Sequence, residues 1–177
     1  VKRLGLLRHA KSDWDDMSLR DFDRGLNERG RKGAALMGRH IRAHGGEWDM
    51  ILASPAERVK RTLAASGMTV PVHYDEAAYM ADVDTLATLL SEIADDPASV
   101  LLAAHNPGIQ DLALRLVRPE DEGALYDELA QKYPTAAFAV LELDIDSWRD
   151  ITLPCGRLVH FARPRDLDPD LGPEVLR

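Results

Sequence analysis

Apolar positions along the chain fall into two patterns that alternate: short continuous runs, and longer stretches in which apolar residues return at helical spacing. Arg3–Leu7, Asp49–Ala53 and Val100–Ala104 are short runs of the first kind and predict strands, the last of them fully apolar. Leu26, Gly30, Ala34, Met37 and Ile41 return at helical spacing, with Arg31, Lys32, Arg39 and Arg42 on other faces. They predict an amphipathic helix that Gly45-Gly46 stops. Ser54-Pro55-Ala56-Glu57 reads as a helix start, with Ser54 as cap, Pro55 at the first helical position and Glu57 returning a capping-box bond. Val59, Thr62, Leu63 and Ser66 then share one side of that helix, and Arg58 sits in its first turn.

Further along, Val70–His73 predicts a short strand, and Leu86, Leu89, Leu90 and Ile93 a helix ending near Asp95-Asp96-Pro97. Ile109, Leu112, Ala113 and Leu116 mark another helix, and Ala124–Lys132 a further one that stops at Tyr133-Pro134. Ala137–Leu143 and Leu158–Phe161 are the late strands, with Asp144–Gly156 as a hairpin-like excursion between them. Strands alternating with helices call for parallel βαβ units. The expected fold is therefore α/β, a three-layer α/β/α sandwich with a mostly parallel central sheet, whose ligands bind beyond the carboxyl ends of the strands.

Composition narrows the function. The chain has 177 residues, 45% of them hydrophobic and 29% charged, which suits one soluble domain. Its net charge of -8, from 22 Lys plus Arg against 30 Asp plus Glu, argues against a broad nucleic-acid-binding face, so any anion site must be a local pocket. Cys155 is the single cysteine, which excludes a disulfide framework or a cysteine-based zinc site and fits a reducing compartment. No apolar run approaches the roughly 20 residues that span a bilayer. The expected location is the cytoplasm, with no membrane or nucleic-acid partner.

Candidate chemistry gathers at strand ends. Three predicted strands run into basic residues: the first into Arg8-His9, the second towards Arg58, the third into His105. If the three strands share one parallel sheet, these side chains meet in a cationic pocket suited to a phosphoryl group. Arginine offers phosphate a planar, permanently charged fork. A neutral imidazole flanked by arginines is a competent nucleophile for phosphorus, and a second histidine can stabilise the phosphoryl oxygens.

These residues resemble a known family. Leu6-Leu7-Arg8-His9-Ala10, the Ser54-Pro55-x-x-Arg58-x-x-x-Thr62 spacing and a late strand ending in His105-Asn106-Pro107-Gly108 are similar to the histidine phosphatase superfamily, in its phosphoglycerate-mutase-like branch. The Arg20–Gly30 segment and Tyr133-Pro134-Thr135-Ala136 look most like the SixA-type phosphohistidine phosphatases. The resemblance runs from about Lys2 to Pro164. It implies a phosphoglycerate-mutase-like fold and a histidine phosphatase domain at 1–164; the tail from Arg163, which holds Pro164, Pro169 and Pro173, is expected to lie on the surface or be partly disordered, with 165–177 beyond the domain. It also implies that His9 takes the phosphoryl group, that Arg8, Arg58 and His105 bind it, that water hydrolyses phospho-His9, and that no metal or cofactor is needed. Arg24 matches a further arginine of the pattern and would complete the phosphate pocket.

The chain departs from that pattern in two ways. Ala10 stands where the family has glycine, and the carboxylic acid that mutase-like members use as general acid has only Glu76 and Asp82 as candidates, each equally readable as a surface or capping residue. An imidazole leaving group lessens the need for that acid, which favours a phosphohistidine-carrying protein as substrate over a small phosphate ester. A non-catalytic phosphate-binding protein is the third reading.

Other residues carry blander expectations. His40 and His44 have metal-ligand spacing but suit a helix C-terminus better. His73 and His160 read as structural, Asp13, Asp15 and Asp16 as a solvated face, and Trp14 as either a pocket wall or a packing residue.

Overall fold

The computed structural model describes residues 1–44 and 47–172. Its strands are β1 (Lys2–Arg8), β2 (Met50–Ala53), β3 (Val72–Tyr74), β4 (Ser99–Ala104), β5 (Phe138–Leu143) and β6 (Gly156–Ala162). Its helices are α1 (Glu28–Ala43), α2 (Glu57–Ser66), α3 (Val83–Ser91), α4 (Gly108–Leu116), α5 (Ala124–Gln131) and α6 (Pro164–Leu167). The six strands form one sheet in the order β3-β2-β4-β1-β5-β6. The pairs β1–β4, β2–β4 and β2–β3 are parallel, whereas β5 runs antiparallel to both β1 and β6.

Side-chain alternation explains why the inner strands read as continuous apolar runs. In β4, Val100, Leu102 and Ala104 face one core with Leu86, Leu90, Ile109, Leu112 and Leu116 of α3 and α4. Leu101 and Ala103 face the other core, with Met37, Ile41, Val59 and Leu63 of α1 and α2. Both faces are covered, so both sets must be apolar. The result is the expected three-layer α/β/α sandwich. Gly5 leaves room in β1 for Trp48, because a Cβ there would meet the Trp48 ring at 2.8 Å and Leu101 Cδ1 at 2.7 Å.

Register brings the strand ends together. Arg8 pairs with Ala104, and Ala53 with Ala103. The residues that leave β1, β4 and β2 (His9, His105 and Ser54) therefore emerge side by side at the carboxyl edge of the sheet.

Element bounds differ from expectation where capping decides them. Helix α1 begins at Glu28, because the Asn27 side chain accepts from Gly30 N at 2.8 Å and caps it. The predicted Gly45-Gly46 stop lies outside the described residues, and the last described helical residue before it is Ala43. Ser54 does not cap α2. That helix starts at Glu57 behind Ala56, whose side chain cannot cap, and Glu57 pairs with Arg61 at 2.9 Å instead of closing a capping box. Residues 165–172 continue as α6 and a 3-10 turn over Pro169–Leu171, and Arg29 of α1 donates to the carbonyls of Asp170 and Gly172. The rest of the expected tail, 173–177, lies outside the described residues. Among the described residues no helix is long and apolar enough to cross a membrane.

Candidate active site

His9 is fixed by its own backbone and its neighbours. Its N–H donates to Ala104 O at 3.2 Å, which prolongs the β1–β4 pairing by one residue. The carbonyls of Arg8 and His9 share the N–H of Ala136, at 3.1 and 3.0 Å. Ala136 adopts φ 60°, a left-handed conformation that costs an alanine about 1 kcal/mol and here aims its N–H at both carbonyls. Ala10 N donates to Thr62 Oγ1 at 2.8 Å, and Thr62 Oγ1 donates to Arg58 O at 2.7 Å. One threonine hydroxyl thus ties the segment carrying His9 to the helix carrying Arg58. The Ala10 methyl is fully buried in a small cluster with Leu26, Ala34 and Ala136.

The two site histidines hold opposite tautomers. His9 Nδ1 lies 2.8 Å from Ala10 O. A carbonyl can only accept, so Nδ1 carries the proton and Nε2 keeps its lone pair. His105 Nδ1 lies 3.3 Å from Arg58 Nη2, and a guanidinium can only donate, so here Nδ1 accepts. His105 Nε2–H then donates to Ser54 Oγ at 2.8 Å. The rings are 5.3 Å apart with 55° between their planes. Burial and, against a raising bond to Ala10 O, the charges of Arg58 and Arg8 push His9 down to about 4. Burial, His9 and Arg58 push His105 down to about 3. Both rings are neutral near pH 7.

Arg58 and Arg8 act on the pair directly, and Arg24 joins them through Asp21. Arg58, in the first turn of α2 and 3% exposed, donates through Nη2 to Asp21 Oδ2 at 3.0 Å and through Nη1 to Asp21 O at 2.8 Å. Arg24 pairs with the other oxygen of the same carboxylate and lies 3.5 Å beneath the exposed ring of Trp14. Arg8 donates through Nη1 to Tyr133 O at 2.9 Å, while the buried Tyr133 hydroxyl donates to Leu6 O at 2.6 Å. Arg8 Nε and Arg24 Nε are buried and bond no protein atom. Buried donors of this kind are costly unless an acceptor meets them, and a phosphoryl group supplies acceptors.

Sequence reasoning missed Asp21 as an individual. It sits on a short 3-10 turn, Asp21–Asp23, and also accepts from the Tyr79 hydroxyl. Burial alone would raise its pKa. Bonds from Tyr79 and Arg58, and the charges of Arg58 and Arg24, hold it below the usual carboxylate range. The available signal was an acid between two arginines, Arg20 and Arg24, with no long helix to cap. Tyr79, whose ring meets His105 edge-on at 5.4 Å, carried no such signal.

The remaining candidates fall elsewhere. Asp82 is the N-cap of α3, accepting from Thr85 N at 2.9 Å, a bond that holds its carboxyl below the usual range. Glu76 is exposed on the Glu76–Ala78 3-10 turn. Neither has a bond to His9, His105, Arg8 or Arg58 among the described residues. His40, His44 and His160 stack together, with 2.8 Å between His40 Nε2 and His160 Nε2. Among the described residues no group of three or more His, Cys, Asp or Glu is arranged to hold a metal ion. His73 is exposed on β3, and Cys155 is buried and free.

The family model described as histidine phosphatase superfamily (branch 1) matches residues 4–111. The uncharacterized protein Rv1276c of Mycobacterium tuberculosis is 34% identical over 160 residues, covering 90% of this chain and all of that protein. Among solved structures, a protein of Nakamurella multipartitia provisionally named phosphohistidine phosphatase SixA is 30% identical. It covers 92% of this chain and 96% of its own, with a TM-score of 0.83. A protein of Agrobacterium tumefaciens with the same provisional name is also 30% identical, covers 92% and 98%, and has a TM-score of 0.76.

Proposed function

The chain belongs to the histidine phosphatase superfamily, branch 1, and from that premise we propose that it is a metal-independent phosphatase whose nucleophile is His9 and whose substrate is phosphohistidine carried on a signalling protein. The observation that supports this reading most directly is the tautomer of His9. Its Nδ1–H is committed to Ala10 O, so the lone pair on Nε2 is available for attack.

In the proposed reaction, Arg8, Arg24 and Arg58 bind the phosphoryl oxygens and neutralise their charge. Phosphoryl transfer needs little beyond this and an aligned nucleophile. His9 Nε2 forms a bond to phosphorus as the bond from phosphorus to the substrate imidazole breaks. The leaving ring, protonated beforehand on its distal nitrogen, departs neutral. Water then attacks phospho-His9, the P–N bond breaks, and inorganic phosphate leaves with His9 restored. In this reading His105, whose ring centroid lies 5.3 Å from that of His9, is held by Ser54 and Arg58 at the edge of the phosphoryl site.

The substrate reading has two supports. Two structures at 30% identity carry the SixA name. Among the described residues Glu76 and Asp82 make no bond to the histidines, and the capping bond of Asp82 holds its carboxyl ionised, which favours a leaving group that needs no acid from the protein. In this reading no acid is required, because the imidazole carries its own proton. The lone buried thiol of Cys155 suits a reducing cytoplasm.

The test is trapping followed by substrate comparison. Brief reaction with a labelled phosphodonor should leave an acid-labile, base-stable adduct on the wild-type chain and none on His9→Ala. Label retained by His9→Ala would refute the nucleophile. Rates on a phosphohistidine peptide should exceed those on a panel of phosphate esters; the reverse order would assign the chain to small esters. Phosphate binding without turnover of any activated ester would make it a binding protein.

A further inference from the structure

A cavity of about 290 Å³ lies beside the His9 segment, and of the histidines and arginines of the site described above it shares only Arg8. It is lined by Arg8, by Ala10 and Lys11, by the first turns of α1 through Arg29, Gly30 and Gly33, and by Lys132–Ala136 without Tyr133. Pro164, Arg165, Leu171 and Gly172 close it. His9, His105, Arg58 and Arg24 take no part in its walls.

Five of its described lining residues are basic, Arg8, Lys11, Arg29, Lys132 and Arg165, and none is acidic. In a chain of net charge -8 this is a strong local reversal of sign. The nearest acid in sequence to Arg165 is Asp166, and both of its carboxylate oxygens are already engaged by Arg163, at 3.0 Å each. The amino end of α1, a helix of 16 residues, adds the positive end of its dipole to the same wall. A single phosphate would fill only part of the space.

We propose that this cavity is a second anion site, for a small oligophosphate, distinct from the pocket at His9 and coupled to it through Arg8. Arg8 faces the cavity while its charge also acts on His9 and His105. An anion seated there places negative charge beside Arg8 and weakens its hold on a phosphoryl group in the neighbouring pocket. Occupancy therefore inhibits turnover without competing for His9.

Calorimetric titration of the full chain with sodium pyrophosphate tests this. The wild type should show two sites. Lys132→Gln/Arg165→Gln should weaken one of them at least about tenfold, while its hydrolysis of p-nitrophenyl phosphate without pyrophosphate stays within about twofold of wild type. Lys132→Glu, at an exposed position, should give the same loss alone. Arg58→Ala should weaken the other site and spare this one. A single wild-type site that ignores the Lys132 and Arg165 changes overturns the proposal, and citrate binding in the cavity as tightly as pyrophosphate overturns the oligophosphate class. If the wild type hydrolyses no ester and no phosphohistidine, the phosphatase reading fails while the calorimetry still decides the cavity.

Discussion

The Asp21 carboxylate lies 3.0 Å from Arg58 Nη2, and the Asp21 carbonyl oxygen lies 2.8 Å from Arg58 Nη1. One acidic residue thus holds both arms of a guanidinium that the proposed reaction requires, and its other carboxylate oxygen holds Arg24. An arriving phosphoryl group and the Asp21 carboxylate seek the same donors. Asp21 aims the arginines and competes with the ligand for them.

Asp21→Asn separates the two roles. The carbonyl bond to Arg58 Nη1 does not involve the side chain, and an amide oxygen can still accept from Nη2, so the aim of Arg58 should survive. The competing charge is gone. Inhibition by inorganic phosphate should tighten about 3- to 10-fold, on the order of 1 kcal/mol for a partly exposed charge. Weaker phosphate inhibition in this variant would mean that aiming outweighs competition.

The neutral histidines set a pH dependence. His9 titrates at about 4 and His105 at about 3, both below the 6.5 of an ordinary imidazole. As pH falls below about 6.5 the unfolded chain takes up protons that the folded chain refuses, so stability is fully present above that pH and is lost progressively down to about 3. His160, also at about 4 through burial and its neighbours His44 and His40, adds in the same direction. The melting temperature should therefore fall between about pH 7 and pH 5. An NMR titration should place the His9 midpoint near 4, and a midpoint near 6.5 would contradict the burial argument.

The sheet and the histidine pair were legible because local pattern determines both. Apolar runs buried on two faces name the strands, and a basic residue straight after such a run must lie at the carboxyl edge. The Ser54 bond was not legible. A serine before Pro55 reads as a helix cap from neighbouring residues alone, whereas its partner, His105, is 51 positions away. A buried imidazole N–H without an acceptor is costly, so the Ser54 hydroxyl accepts from His105 as well as from Ala56 N at 3.3 Å and caps no residue of α2. The Asp21 bonds to Arg58 and Tyr79 escaped for the same reason, being formed across 37 and 58 positions. The stacking of His160 on His40 and His44 joins the far end of α1 to β6, which no local periodicity encodes.

Ser54→Ala tests whether that distant bond matters. Ser54 is fully buried, and its hydroxyl is the acceptor that fixes the His105 tautomer. Without it a buried N–H is left unpaired, at a cost of about 1–3 kcal/mol, and Arg58 meets a ring free to change tautomer. Turnover should drop roughly tenfold with little change in KM, a loss of about 1.4 kcal/mol in transition-state stabilisation. Unchanged kinetics would reduce Ser54 to a structural role.

Thr62 carries the most exposed consequence of the architecture, because its hydroxyl joins two halves of the site. It accepts from Ala10 N and donates to Arg58 O, so it sets the distance between the segment bearing His9 and the helix bearing Arg58. Valine matches its shape and removes only the hydroxyl. Thr62→Val leaves Ala10 N buried and unpaired, and should destabilise the fold by about 1–3 kcal/mol. It should also loosen the placement of His9 against Arg58, slowing phosphorylation of His9 by one to two orders of magnitude, on the scale that small misplacements of reacting groups command. Thr62→Ser keeps the hydroxyl and loses a methyl, so it should recover most of the phosphorylation rate while recovering only part of the stability. Denaturant melts of both variants beside single-turnover labelling separate the two effects. Equal labelling rates in the valine and serine variants would show that packing, not the hydroxyl bridge, positions the nucleophile.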